Sequence, residues 1–198
     1  MEKDDSLPLK ECATNLVFGS GNTEAKVLAI GEGPGRMEDA SGQPFVGPAG
    51  KLLDKLFPLS GLERKKVFIT NVVHHRPPSN RDPEPDEISA YGIYLDEIIK
   101  IIKPKVIITL GRFSMAKFLP SAKISGVHGK RYGVMWRGRS VVVVPMYHPA
   151  ASLRNGSILE AEKKDFIQLR KILLDLEKQS LAITKGNGKL KVKQKKLI

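Results

Sequence analysis

The sequence of 198 residues holds a single cysteine, Cys12. One thiol excludes an intrachain disulfide, and it excludes any iron–sulfur cluster held by several thiolates of this chain. Long apolar runs are missing too, since none approaches the roughly 20 residues of a membrane span. The opening stretch MEKDDSLPLKEC has no apolar signal core, so no secretion is expected. Internal repeats are absent. Acid is in short supply: 21 Asp and Glu stand against 33 Lys and Arg, a net charge of +12. Residues 179–198 carry six lysines and no acid, so half of that excess sits at one end. A basic balance points to a polyanion partner, most often nucleic acid, with plain solubility as the alternative.

Two further absences narrow the chemistry. GEGPG places glycines at Gly31, Gly33 and Gly35, but the dinucleotide pattern G-x-G-x-x-G needs a glycine where Arg36 stands. Pro34 also sits badly for a helix start that must offer free N–H groups to a phosphate. No metal-ligand spacing is present. His74 and His75 are adjacent, so in an extended chain they face opposite ways, and Cys12 lies far off in sequence.

What is present is an alternation of strand and helix. AKVLAIGEGPG reads as a buried strand ending in a glycine turn, KVFITNVV as a second, and KPKVIITLGR as a third. RYGVMWRGRSVVVVPMYHP reads as a hairpin arm turning at Arg137-Gly138, followed by a fourth buried strand. Between them, AGKLLDKLFPLSG, PDEISAYGIYLDEIIKIIK and LEAEKKDFIQLRKILLDLEKQ read as helices, with FSMAKFL as a short one. Acids open the second of these, where the helix dipole favours them. Continuous apolar strands between helices predict an α/β fold with a parallel sheet covered on both faces. The length suits one domain, 1–178, with 179–198 as a flexible basic tail that either grips DNA or has no role.

In such a fold the ligand site lies beyond the carboxyl ends of the strands. The segments that follow the strands are GEGPG, TNVVHHRPPSNR, GRF and YHPAASLR, and they hold the most reactive side chains of the chain. Glu32 could position or polarise a water, or simply cap loop amides. The Asn71 amide offers a donor beside an acceptor, which matches the Watson–Crick edge of a pyrimidine; its plain reading is a turn former. His148, held extended by Pro149, could donate to an oxygen that gains negative charge, although a lone histidine is more often structural. Phe45 sits in a glycine-rich loop, GQPFVGPAG, and either packs under it or waits for a flat ligand.

The stretches GEGPGRMEDASGQPFVGPAGKLLDKL, TNVVHHRPPSNRDP, IITLG and YHPAASLR together resemble the uracil-DNA glycosylase superfamily, most closely its family 4 branch, over roughly residues 17–155. The resemblance implies a three-layer α/β/α fold around a central four-stranded parallel sheet. It implies a monofunctional glycosylase that hydrolyses the N-glycosidic bond of a uracil flipped out of DNA. Glu32 and His148 would be catalytic, Glu32 acting on the water or its surroundings and His148 on the leaving uracil anion. Phe45 would stack on the base and Asn71 read its edge, with Gly33, Gly35 and Asn80 around it. Gly35 stands where a bulkier residue excludes the thymine methyl in a related family, and Glu38 would fill that space. Arg81, Ser152, Leu153 and Arg154 would contact DNA, with Leu153 as the wedge.

The chain departs from the branch in three ways. Family 4 carries four cysteines around an iron–sulfur cluster, where this chain has His75, a position near Tyr91, and Cys12 alone before the first strand. The expectation is no cofactor and no metal, with core packing or hydrogen bonding in the cluster's place. The usual HPS is HPA, with Ala150, and the usual leucine pair is Ser152-Leu153. The basic loop of the branch that cross-links to uracil-DNA is missing, so turnover is expected rather than a covalent trap. Uracil-containing DNA is the expected partner of a monomer in the cytoplasm, at the nucleoid if the source is prokaryotic. The alternatives are a non-catalytic DNA-binding relative and a glycosylase for another deaminated base such as hypoxanthine.

Overall fold

The computed structural model describes residues 1–194, with side chains described through residue 182. In chain order the strands are β1 (Ser20–Gly21), β2 (Val27–Gly31), β3 (Val67–Asn71), β4 (Val106–Leu110), β5 (Tyr132–Trp136) and β6 (Arg139–Met146). The helices are α1 (Arg36–Ser41), α2 (Pro48–Leu56), α3 (Pro85–Ile102), α4 (Arg112–Ala116), α5 (Ile124–Val127), α6 (Pro149–Ser152) and α7 (Gly156–Gln194). Short 3-10 turns at Phe57–Ser60, Arg64–Lys66 and Pro78–Asn80 join them.

The strands form one sheet in the order β1-β3-β2-β4-β6-β5. The four expected strands, β3-β2-β4-β6, pair in parallel at its centre. The sheet is larger than the expected four strands, because an antiparallel strand extends each edge. One of these, β5, is the hairpin arm, and Arg137 at its turn has a positive φ of 45°. The other, β1, is two residues long, too short for any periodicity to reveal.

Each central strand divides its side chains between two cores by simple alternation. Leu28 and Ile30 of β2, Ile107 of β4 and Val143 of β6 face α3 through Tyr91, Leu95, Ile98 and Ile99. Val27 and Ala29, Val106 and Ile108, and Val142 and Val144 face the other way, onto Leu53 and Leu56 of α2 and Phe166, Leu169 and Ile172 of α7. Burial on both faces is why these strands read as unbroken apolar runs rather than as alternating ones.

Helix α3 begins with a reciprocal capping box between Glu84 and Glu87, with Pro85 at its first position. Helix α7 runs without a break past the expected tail boundary at 179 to Gln194. The basic segment therefore begins inside a continuous helix; residues 195–198, and side chains from 183 onward, lie outside the described residues. Among the described residues no helix is long and apolar enough to cross a membrane.

Candidate active site

The parallel strands end side by side. Gly31 of β2 pairs with Asn71 of β3, and Leu110 of β4 with Met146 of β6. Beyond these ends opens a cavity of about 670 Å³ lined by Glu32, Gly33, Gly35, Glu38, Phe45, Asn71, Asn80, Arg81, His148, Leu153 and Arg154. Eleven of the twelve residues singled out from sequence thus meet at one place, although they are spread from 32 to 154.

The twelfth, Ser152, does not. It is 3% exposed, and its hydroxyl donates to the Glu162 carboxylate on α7. A four-residue helix gives no periodicity from which to tell its inner face from its outer one, so the sequence could not separate Ser152 from Leu153. Leu153 is 53% exposed at the cavity rim.

Asn71 is the most unusual group in the cavity. It is 1% exposed, and neither its Oδ1 nor its Nδ2 has a hydrogen-bond partner among the described residues. Buried amides are nearly always bonded, so two orphan atoms on one side chain call for a ligand or water that uses them. The backbone around it leaves no slack. A Cβ on Gly31 would lie 2.4 Å from Asn71 Oδ1 and 2.6 Å from the Phe45 ring.

Phe45 is held in a left-handed conformation, φ 53°, which a bulky residue adopts only under constraint. The constraint is visible. The Glu38 carboxylate accepts from the amides of Val46 (2.9 Å) and Gly47 (2.7 Å), the two residues after Phe45. Arg64 donates to the carbonyls of Pro44 (2.6 Å) and Phe45 (3.1 Å), and pairs with Asp54 at 2.9 Å. On the helix side, a Cβ on Gly50 would fall 1.8 Å from the Phe45 carbonyl, so α2 can approach only with glycine there. The Phe45 ring is 6% exposed and part of the core beneath, yet it also lines the cavity. The reading of Phe45 as packed under its loop matches this burial, and its place in the lining leaves the ring beside the cavity. Arg64 was not singled out from sequence, because nothing in RKK marks a residue that acts on a loop 20 positions away.

Glu38 also faces Gly35. A Cβ at Gly35 would meet Glu38 Oε2 at 2.9 Å, so the carboxylate occupies the space that a larger residue at 35 would take.

His148 caps α6, its Nδ1 accepting from the Ala150 amide at 3.1 Å. With Nδ1 an acceptor, the proton of the neutral ring belongs on Nε2. Burial pushes the ring down to about 4, against a smaller upward pull from the Glu38 carboxylate. The ring is therefore neutral near pH 7 and can donate from Nε2. It stacks on Phe45 with centroids 5.9 Å apart at 30°. Gly111, at φ 95°, makes room for it, since a Cβ there would lie 3.1 Å from His148 Cβ.

Glu32 follows β2 directly, and its carbonyl accepts from the amides of Val72 and Val73. Its carboxyl is pushed up from the usual range, first by burial and then by Asp82, while Arg112 opposes the shift. Asp82, ion-paired to Arg112, lines the cavity and was not singled out from sequence, although it lies in the same SNRDP loop. Asn80, at φ 54°, accepts from Arg76 Nε at 2.7 Å on the exposed rim. Arg81 reaches the cavity lining, but its guanidinium is gripped by both oxygens of Glu87 at 2.6 and 2.9 Å. That bidentate pair ties the loop to α3.

The residues at the positions expected for an iron–sulfur cluster do not fit one. Cys12 is exposed and alone. His75 Nδ1 and the Tyr91 hydroxyl are hydrogen-bonded to each other at 2.7 Å, in the core. His74 Nε2 meets Thr70 Oγ1 at 3.1 Å, and its ring lies 5.9 Å from that of Tyr91. Among the described residues no group of three His, Cys, Asp or Glu is placed to hold a metal ion.

The comparisons with known proteins agree with this geometry. The uracil DNA glycosylase superfamily profile matches residues 18–176. The chain is 44% identical to a type-4 uracil-DNA glycosylase of Sulfurisphaera tokodaii over 184 residues, 87% of this chain and 83% of that one. It is 46% identical to the type-4 enzyme of Archaeoglobus fulgidus over 164 residues, 80% and 82% of the two chains. With that of Thermotoga maritima it shares 40% over 186 residues, 93% and 92%. The chain belongs to the uracil DNA glycosylase superfamily.

Proposed function

We propose that the chain is a monofunctional uracil-DNA glycosylase of base excision repair, and that the cavity at the strand ends takes a uracil flipped out of DNA. The unspent amide of Asn71 carries this reading. A donor and an acceptor side by side match the N3–H and the neighbouring carbonyl of uracil, and extrusion of the base is what brings that edge within reach. Phe45 gives the base a face to stack on, and Glu38 closes the space around the ring beside Gly35. The type-4 relatives support the same substrate.

Bond cleavage leaves the sugar cation-like and the uracil anion-like. His148 donates its Nε2 proton in a hydrogen bond to the uracil oxygen that gains charge, a stabilisation that strengthens toward the transition state. Glu32 holds the attacking water and faces the developing positive charge on the sugar. The water adds to the anomeric carbon and gives its proton to the Glu32 carboxylate, while the electrons of the broken C–N bond leave with the base. Leu153 fills the gap left in the stack, while Arg154 and the basic surface hold phosphates. The chain carries out this chemistry without an iron–sulfur cluster, a reading supported by the hydrogen-bonded His75–Tyr91 pair at positions where cluster ligands are expected. It acts as a monomer in the cytoplasm, at the nucleoid if the source is prokaryotic.

The test is excision from a labelled single-stranded oligonucleotide carrying one uracil, in the presence of chelator, followed by alkaline cleavage. Strand scission at the uracil is expected. Firm DNA binding without scission at uracil, and scission at hypoxanthine in a parallel substrate, would move the assignment to another deaminated base.

A further inference from the structure

Two carboxylates on one face of α7 grip the two flanks of the segment that carries His148. Glu162 and Asp165 lie three residues apart, so they project together. Glu162 is fully buried and accepts from the hydroxyl of Ser152, four residues after His148. Asp165 meets His128 Nδ1 at 2.7 Å, and the His128 ring packs on Tyr147, one residue before His148, with centroids 4.4 Å apart. Asp165 is set so closely that a Cβ on Gly129 would lie 2.1 Å from its Oδ1, while the Gly129 amide donates to Pro145 at 2.8 Å on β6. The chain is thus anchored immediately before and shortly after its catalytic histidine.

Packing alone does not account for Glu162. A buried carboxyl is costly, and one hydrogen bond from Ser152 offsets only part of that cost. Its Oε1 has no partner among the described residues. Burial pushes the group up to about 7, with Asp165 adding to the rise and Ser152 opposing it.

We propose that Glu162, supported by Asp165, is a positioning residue for His148: through Ser152 it fixes the short helix that His148 caps, and so aims His148 Nε2 into the cavity. The proposal rests on the glycosylase reading above. Neither carboxylate lines the cavity, so both act through the histidine and not on the substrate.

The experiment is single-turnover excision of uracil by the full chain, with melting temperature and uracil-DNA affinity measured alongside. Glu162→Leu should slow excision by about 10- to 100-fold, the scale of a sub-ångström to ångström misplacement of a catalytic group. Affinity should hold, and the melting temperature should fall by no more than the loss of one buried hydrogen bond allows. Glu162→Gln, which keeps an acceptor for Ser152, should recover most of the rate. In a His148→Gln background, Glu162→Leu should add no further loss, because its effect passes through the residue already removed. Should Glu162→Leu not fold, Ser152→Ala carries the same test, with a smaller loss that also vanishes in the His148→Gln background. A wild-type rate in Glu162→Leu, or a loss that multiplies with that of His148→Gln, overturns the proposal while leaving the glycosylase reading intact. A wild-type chain that leaves uracil in place sinks that reading and this proposal together.

Discussion

Asn71 and His75 stand four residues apart on the same segment, and the fold treats them in opposite ways. Both are buried polar side chains, Asn71 at the end of β3 and His75 in the loop that follows. His75 is bonded to the Tyr91 hydroxyl at 2.7 Å, whereas both amide atoms of Asn71 are left unbonded among the described residues. A satisfied buried polar group holds a structure together; an unsatisfied one costs stability. The difference separates a buried pair closed on itself from a buried amide left open toward the cavity.

That comparison can be broken from either side. The largest loss is expected on the open side, at the group that meets the leaving base. His148→Gln should slow single-turnover excision by about 10²- to 10³-fold, the usual cost of one donor to a developing anion. Because burial holds His148 down to about 4, its ring is neutral across the working range. The ratio of the wild-type rate to the His148→Gln rate should therefore stay constant from pH 8 to pH 5. An imidazolium donor would instead make that ratio grow as the pH falls.

Next in size is Gly31→Ala. Its Cβ would lie 2.4 Å from Asn71 Oδ1 and 2.6 Å from the Phe45 ring, so both must shift. Excision should fall about 100-fold, with the circular dichroism of the fold retained. The smallest effect belongs to the closed side. Tyr91→Phe removes the bond to His75 and should cost about 1 to 2 kcal/mol of unfolding free energy while leaving excision within about twofold. A loss of excision larger than the loss of stability would show that the His75–Tyr91 pair is part of the active site after all.

How much of this was readable in advance follows from the same physics. The four parallel strands were legible because burial on both faces leaves unbroken apolar runs, as in VLAIG and VIITL. The site residues were legible as a set because parallel strands deliver whatever follows them to one edge. What escaped was set by contacts distant in sequence. Arg64 acts on a loop 20 residues earlier, and Glu162 sits in a helix, LEAEKKD, that looks solvated throughout. Ser152 was grouped with the DNA contacts by resemblance, and its burial against Glu162 was not readable because a four-residue helix has no period. The length of α7 also escaped, since a lysine-rich segment after the last apolar stripe reads as a tail while its backbone continues as helix to Gln194.

The central claim is that the unspent Asn71 amide reads the base. It is tested most directly by single-turnover excision from matched oligonucleotides carrying uracil or cytosine, comparing the wild type with Asn71→Asp. The account predicts that the substitution cuts uracil excision at least about 100-fold and moves preference toward cytosine, whose amino group can donate to the new carboxylate. Wild-type uracil excision by Asn71→Asp would contradict it, and would leave those buried, unbonded atoms without a function.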